Sequence, residues 1–324
     1  MKTNLIVGAG QLGSRHLQGL LNYKLHHQRL FVLDPFQKSL DIAKIRASEI
    51  ESSHEIRYTL NWDELPEEFD LVIVATNADV REDVVIRLLQ SCKVKFLILE
   101  KVLFQNLNSY NRIARLLEKK NVKTWVNHPR RMYKSYRELK KQLAVGQTKN
   151  YQITGGSWGL GCNALHFIDL FAFLSESQVK TIDAEWVDST ILESKRKGFI
   201  EFTGSIKGEL NNSSTFQISS LKGEISAGTI TIFENDKRYI IQESGTPQII
   251  TMKQENQFKP EFSTFTLEFQ SGLTTIFADK IFNFGYCDLP TYNEAMQIHK
   301  IFITALLKKY NSITGLNSKS LPIT

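Results

Sequence analysis

Leu5-Ile6-Val7-Gly8-Ala9-Gly10-Gln11-Leu12-Gly13 runs from a short apolar segment through three glycines into a stretch where Leu17, Leu20 and Leu21 recur at helical spacing. A strand, a glycine-rich turn and a helix in that order give G-x-G-x-x-G a physical meaning that three glycines alone lack. Gly8 makes the tight turn, Gly10 lets the backbone approach a pyrophosphate, and Gly13 permits close helix packing, with the phosphates at the positive end of the helix. The backbone of Gly8, Gly10, Gln11, Leu12 and Gly13 is therefore expected to hold a dinucleotide. Asp34 ends the next apolar run, 21 positions after Gly13. A carboxylate there accepts both ribose hydroxyls and repels a 2′-phosphate. Pro35 and Phe36 supply no guanidinium for such a phosphate, so NAD is expected over NADP. The competing reading is the same kind of fold holding another nucleotide, such as S-adenosylmethionine.

Outward from this turn, Leu30–Leu33, Leu71–Ala75 and Phe96–Leu99 read as strands buried on both faces. Amphipathic segments separate them; Val84, Val85, Leu88 and Leu89 face one side while Arg81, Asp83 and Arg87 face water. Strands alternating with helices predict a doubly wound parallel sheet of the Rossmann type over residues 1–127, with Thr124-Trp125-Val126 as its last strand. After residue 148 the pattern changes. Residues 180–187, 198–203, 215–220, 224–233, 238–242 and 249–253 are strand-like and are punctuated by Gly, Asn and Ser. Helices are predicted over 161–174, 263–283 and 291–310. In the second of these, Phe265, Phe269, Leu273, Phe277 and Ile281 form a stripe expected to pack on a sheet face. Residues 128–324 are thus expected to form an α+β substrate-binding domain on a mostly antiparallel, open-faced sheet, whose free face is expected to join copies into a homodimer or homotetramer.

Composition narrows the function classes. The 324 residues are 42% hydrophobic and 23% charged, as in a soluble globular protein. A net charge of +6 is compatible with an anionic ligand and far short of a nucleic-acid-binding signature. Cys92, Cys162 and Cys287 are scattered without a C-x-x-C pair, so no metal site is expected. The apolar segment after Met1-Lys2-Thr3-Asn4 is too short for a signal peptide, and no run approaches a membrane span, so a cytoplasmic location without a membrane partner is expected.

Several motifs in order carry a resemblance. The glycine-rich turn, Ala75-Thr76-Asn77, Glu100-Lys101-Val102, Asn127-His128-Pro129-Arg130-Arg131, His166-Phe167-Ile168-Asp169 and Asp288-Leu289-Pro290-Thr291-Tyr292 resemble landmarks of the glucose–fructose oxidoreductase, inositol dehydrogenase and rhizopine-catabolism (Gfo/Idh/MocA) family, in its sugar-active branch. The resemblance implies an NAD(P)-dependent oxidoreductase acting on CH–OH groups, with a sugar-like small molecule as substrate. It places Thr76, Asn77, Glu100 and Lys101 at the cofactor. Lys101, the lysine of the family's E-K-P pattern, is expected to stabilise negative charge on the reacting oxygen. Val102 stands where the family has proline, and is expected to lose the fixed φ and with it a cis bond.

Family enzymes often carry Asp-x-x-x-His on the helix near residue 161. Alignment on His166 puts Cys162 at the carboxylate's place with Asn163 beside it. His166 remains the expected proton acceptor, Asn163 an orienting group, and Asp169 a substitute carboxylate if the helix face permits. Asn127 and Arg131 are expected to border the substrate, with Arg131 holding a phosphate or carboxylate. Arg130, Lys134, Arg137, Lys140 and Lys141 read as the solvated face of a helix. The functional expectation is hydride transfer to or from a secondary alcohol or ketone of a sugar or nucleotide-linked sugar. The alternatives are a cofactor-binding sensor without turnover and, more distantly, a reductase of a non-sugar ligand such as a tetrapyrrole.

Overall fold

Leu5, Ile6, Leu71, Val72, Leu97 and Ile98 are at most 1% exposed, because each belongs to a strand covered on both faces. The computed structural model describes residues 1–324. Its first sheet comprises β1 (Lys2–Val7), β2 (Gln28–Leu33), β3 (Glu55–Thr59), β4 (Glu68–Val74), β5 (Lys93–Leu99) and β6 (Lys123–Val126), all parallel, in the order β3-β2-β1-β4-β5-β6. α1 (Gln11–Leu21), α2 (Gln37–Ser48), α3 (Arg81–Ser91) and α4 (Leu107–Lys119) make the crossovers. The strand order reverses between β1 and β4, and ligands of such sheets bind beyond the carboxyl ends of the strands at that point. Gly8 follows β1 there and Thr76 follows β4. The strand β3 has no counterpart in the sequence reading, since Glu55-Ile56-Arg57-Tyr58-Thr59 is a half-exposed edge strand without an apolar run.

The second unit is built on an eight-stranded sheet. Before it comes α5 (Lys134–Gln142), and β7 (Asn150–Gly155) leads into α6 (Leu160–Ser175). Then follow β8 (Val179–Asp183), the short pair β9 (Leu192–Glu193) and β10 (Ile200–Glu201), β11 (Gly204–Leu210), β12 (Thr215–Ser220), β13 (Thr229–Glu234), β14 (Lys237–Gln242), β15 (Gln248–Lys253) and β16 (Glu261–Thr264). The order is β16-β15-β14-β13-β7-β12-β11-β8, antiparallel except for β7 with β12. Tyr151, Ile153, Phe216, Ile218, Ile230 and Ile232 are buried on one face, while Gln152 and Thr154 are exposed on the other, the alternation of a sheet covered on one side. Phe171 of α6 stacks on Tyr151 with ring centroids 4.8 Å apart, which seats α6 on the buried face. The sequence reading did not separate β7 and β11, whose polar and glycine positions dilute the apolar signal.

The helix predicted over 263–283 differs from expectation. α7 (Gln270–Phe284) starts seven residues late, and β16 occupies the region before it. Phe269 is 75% exposed, so only Leu273, Phe277 and Ile281 of the stripe are buried on the helix. α7 packs on α1, where a Cβ on Gly19 would lie 2.4 Å from the Ser271 carbonyl oxygen. The first unit consequently comprises Met1–Phe104, Asn108–Pro129 and Glu268–Ala295, and the second Gln105–Leu107, Arg130–Leu267 and Met296–Thr324. The expected 128–324 domain thus gives up one segment to its predecessor. Asp288-Leu289-Pro290-Thr291-Tyr292 runs beside β6, with the Val126 amide donating to the Pro290 carbonyl at 3.0 Å, and leads into α8 (Tyr292–Thr314). No helix is long and apolar enough to cross a membrane.

Candidate nucleotide and substrate sites

In the first unit the glycine-rich turn has the close contacts that require glycine. Gly8 has φ +94°, and a Cβ on it would lie 2.9 Å from the Ala75 carbonyl carbon; one on Gly13 would lie 1.7 Å from the Gly8 carbonyl oxygen. Gly10, by contrast, has nothing within 4 Å of its Cβ position. It opens α1, and no side chain caps that helix end. Open space over an uncapped helix N-terminus fits a diphosphate. Asp34 is buried, with Oδ2 accepting the Ala9 amide at 2.7 Å and Oδ1 the Phe36 amide at 2.9 Å. These bonds hold the carboxylate beside the turn and leave each oxygen further acceptor capacity. Sequence reasoning missed Arg46 of α2, whose guanidinium donates to Gln11 Oε1 at 2.6 Å and to Ser14 Oγ. Only helix geometry brings it there, from 35 residues away. Leu12 is half-buried on the first turn of α1.

At the carboxyl ends of β4, β5 and β6 a buried polar network surrounds Glu100, which is 2% exposed. Glu100 Oε1 accepts Asn127 Nδ2 at 2.6 Å and lies 3.0 Å from His16 Nε2. A carboxylate only accepts, so His16 Nε2 carries a proton. His16 Nδ1 lies 2.8 Å from Thr274 Oγ1, and Asn127 Nδ2 also reaches Gln270 Oε1 at 2.9 Å. Burial by itself pushes the Glu100 pKa up; the His16 hydrogen bond and charge, the Asn127 amide and the Lys101 charge together bring it below the ordinary carboxylate value. Lys101 follows directly and is half-buried. The Lys101–Val102 peptide is cis, so the expected loss of that bond without proline does not occur. Asn77 is exposed. Thr76 Oγ1 and Asn127 Oδ1 are buried acceptors with no hydrogen-bond partner, as a polar ligand group would satisfy.

In the second unit Asn163 and His166 lie on α6, three residues apart, and both are half-buried. Asn163 Nδ2 donates to the Trp158 carbonyl at 2.7 Å. The first turn of α6 meets a carboxylate after all, from a strand rather than from position 162: Glu201 accepts the Gly161 amide at 2.8 Å and the Cys162 amide at 3.1 Å. Arg131 holds Asp169 in a two-point pair, Nε to Oδ2 at 2.9 Å and Nη2 to Oδ1, with Asp169 fully buried. Nε and Nη2 of Arg131 are thus turned to a buried carboxylate of its own unit rather than to open space.

The neighbouring Arg130 is the one that lines a cavity of about 370 Å³, with Trp158, Asn163, Phe167, Glu243 and Ser244 among its walls. Arg130 Nε and Nη2 donate to Glu243 at 2.9 and 2.7 Å, its guanidinium lies 4.3 Å from the Phe167 ring centre, and Tyr136 Oη donates to Glu243 at 2.6 Å. Burial works against the Arg130 charge, and the Glu243 carboxylate outweighs it and raises the pKa. Sequence reading had put Arg130 on a solvated face; nothing within the basic run points to Glu243, 113 residues on.

A glycine-rich turn at the switch point of a six-stranded parallel sheet defines a nucleotide-binding Rossmann-type fold in the first unit. Residues 2–128 match the model of the Gfo/Idh/MocA family, described as "Oxidoreductase family, NAD-binding Rossmann fold". No curated protein sequence matches the chain. Among solved structures, UDP-N-acetylglucosamine 3-dehydrogenase GnnA from Acidithiobacillus ferrooxidans is similar at 13% identity and TM-score 0.70, over 95% of this chain and 97% of its own. Scyllo-inositol dehydrogenase from Lactobacillus casei, with bound NAD(H) and scyllo-inositol, is similar at 17% identity and TM-score 0.69, over 96% of this chain and 97% of its own. A super-repressor mutant of Gal80p from Saccharomyces cerevisiae is similar at 14% identity and TM-score 0.72, over 96% of each chain. At these identities the likeness is one of fold.

Proposed function

We propose that the chain is an NAD-dependent oxidoreductase that moves a hydride to or from a secondary alcohol or ketone of a sugar or nucleotide-linked sugar. The observation that carries this reading is the glycine cradle beside the buried Asp34 carboxylate. Asp34 favours an unphosphorylated ribose, hence NAD over NADP. Nicotinamide, when bound, supplies the hydride donor or acceptor. Of the chain's own residues, Lys101 stabilises negative charge on the substrate oxygen, and its neighbour Glu100 is fixed by His16 and Asn127. His166 takes the hydroxyl proton in the oxidative direction, with Asn163 as an orienting group. The aromatic and polar walls of the Arg130 cavity suit a ring bearing hydroxyl groups. The dehydrogenase neighbours, which their descriptions connect with a nucleotide sugar and a cyclitol, support the same substrate class. Assembly through the open sheet face and a cytoplasmic location belong to this proposal.

A second reading keeps the cofactor and drops the turnover. It rests on Cys162, which replaces the expected carboxylate, and on the likeness to a repressor. Absorbance of NADH at its nicotinamide band, followed against a panel of polyols, sugars and nucleotide sugars, separates the two. The enzyme reading expects at least one member to be turned over, with Lys101→Ala lowering kcat by about 10²–10³. Tight NADH binding with no turnover across the panel favours the sensor.

A further inference from the structure

Arg81, the first residue of α3, does not face water as its helical position suggests: it is 1% exposed and stands first among the largest fully buried side chains. Burying a guanidinium is costly unless acceptors meet its donors. Here the acceptors are main-chain carbonyls from two separate segments. Nη2 donates to the Thr76 carbonyl, after β4. Nη1 donates to the carbonyls of Val102 and, at 3.1 Å, of Leu103, after β5. The sheet ladder reaches only as far as Glu100, whose amide donates to the Val74 carbonyl at 3.1 Å. Beyond that point a planar, charged fork joins the two segments, and bonds from a charged donor are stronger than those between neutral groups.

We infer that Arg81 is a positioning residue that locks Thr76–Asn77 and Lys101–Leu103 into one seat for the nicotinamide half of the cofactor. The adenine half depends instead on the glycine turn and on Asp34, which Arg81 does not touch in any of these bonds. The inference rests on the NAD reading above. Loss of Arg81 lets the two segments drift apart and removes the seat for nicotinamide and its ribose, while the adenosine diphosphate site persists.

The test compares NADH with ADP-ribose, which lacks the nicotinamide, by titrating protein fluorescence for the wild type, Arg81→Lys and Arg81→Met. The wild type is expected to bind NADH about tenfold or more tighter than ADP-ribose, and both variants to lose most of that advantage while ADP-ribose affinity stays within about threefold. Equal weakening for both ligands, or a wild-type advantage that survives in the variants, overturns the inference and leaves the NAD reading standing. A wild type that binds neither ligand overturns both. Should the variants not fold, hydrogen exchange on the wild type decides. NADH is expected to slow exchange in 76–82 and 100–104 together, and ADP-ribose in neither. Protection of one segment without the other contradicts a common clamp.

Discussion

Glu100 is a carboxylate with almost no access to water, and what keeps it ionised is local. Since its pKa is lower in the folded chain than in the unfolded one, it contributes stability above the unfolded value, and that contribution is lost as pH falls through the folded value. Denaturant unfolding of wild type and Glu100→Gln is therefore expected to differ by about 1–3 kcal/mol at neutral pH, with the gap closing below about pH 4. A gap that stays constant into acid contradicts an ionised Glu100 held by its hydrogen bonds with His16 and Asn127. Asp34→Ala is expected to reduce NADH affinity by about tenfold and to narrow the difference from NADPH, as read by fluorescence titration. A wild-type preference for NADPH contradicts the role given to Asp34. At this scale the sequence was legible where chemistry is tied to a local turn, as for Gly8, Gly13 and Asp34. It was illegible where a partner comes from far along the chain. Arg130 and Arg131 are adjacent and chemically identical, and only the one-turn helix Pro129–Met132 sends one to Glu243 and the other to Asp169.

Helices and strands were readable in proportion to their apolar contrast. α6 and β12 fall within a residue of the spans read from sequence, whereas β3, β7 and β11, with polar or glycine positions in between, did not register. The four-residue aromatic stripe misled because Phe265 and Phe269 precede the helix, and periodicity does not say which neighbour a helix packs on. That neighbour is α1, through Gly19. Gly19→Val places a side chain against the Ser271 backbone and is expected to destabilise the first unit by about 1–3 kcal/mol, visible as a lowered Tm. An unchanged Tm contradicts the α1–α7 packing. For α6, Glu201→Ala removes the carboxylate that accepts two amides of its first turn and is expected to cost about 1–2 kcal/mol in denaturant unfolding.

On the scale of the whole molecule, the class of fold followed from one strand–turn–helix and the alternation around it, while the return of residues 268–295 to the first unit did not, because no boundary signal in composition marks it. Function at this scale hangs on the nucleotide, since the substrate chemistry, the Lys101 role and the Arg81 clamp all presuppose it. The most direct measurement is a calorimetric titration of the purified chain with NADH, alongside Gly13→Val, whose side chain would collide with the Gly8 carbonyl inside the cradle. The account predicts saturable binding at one site per chain in the wild type and none in the variant, with the variant's second unit still folded. Absence of binding in the wild type, or binding that Gly13→Val leaves intact, contradicts it.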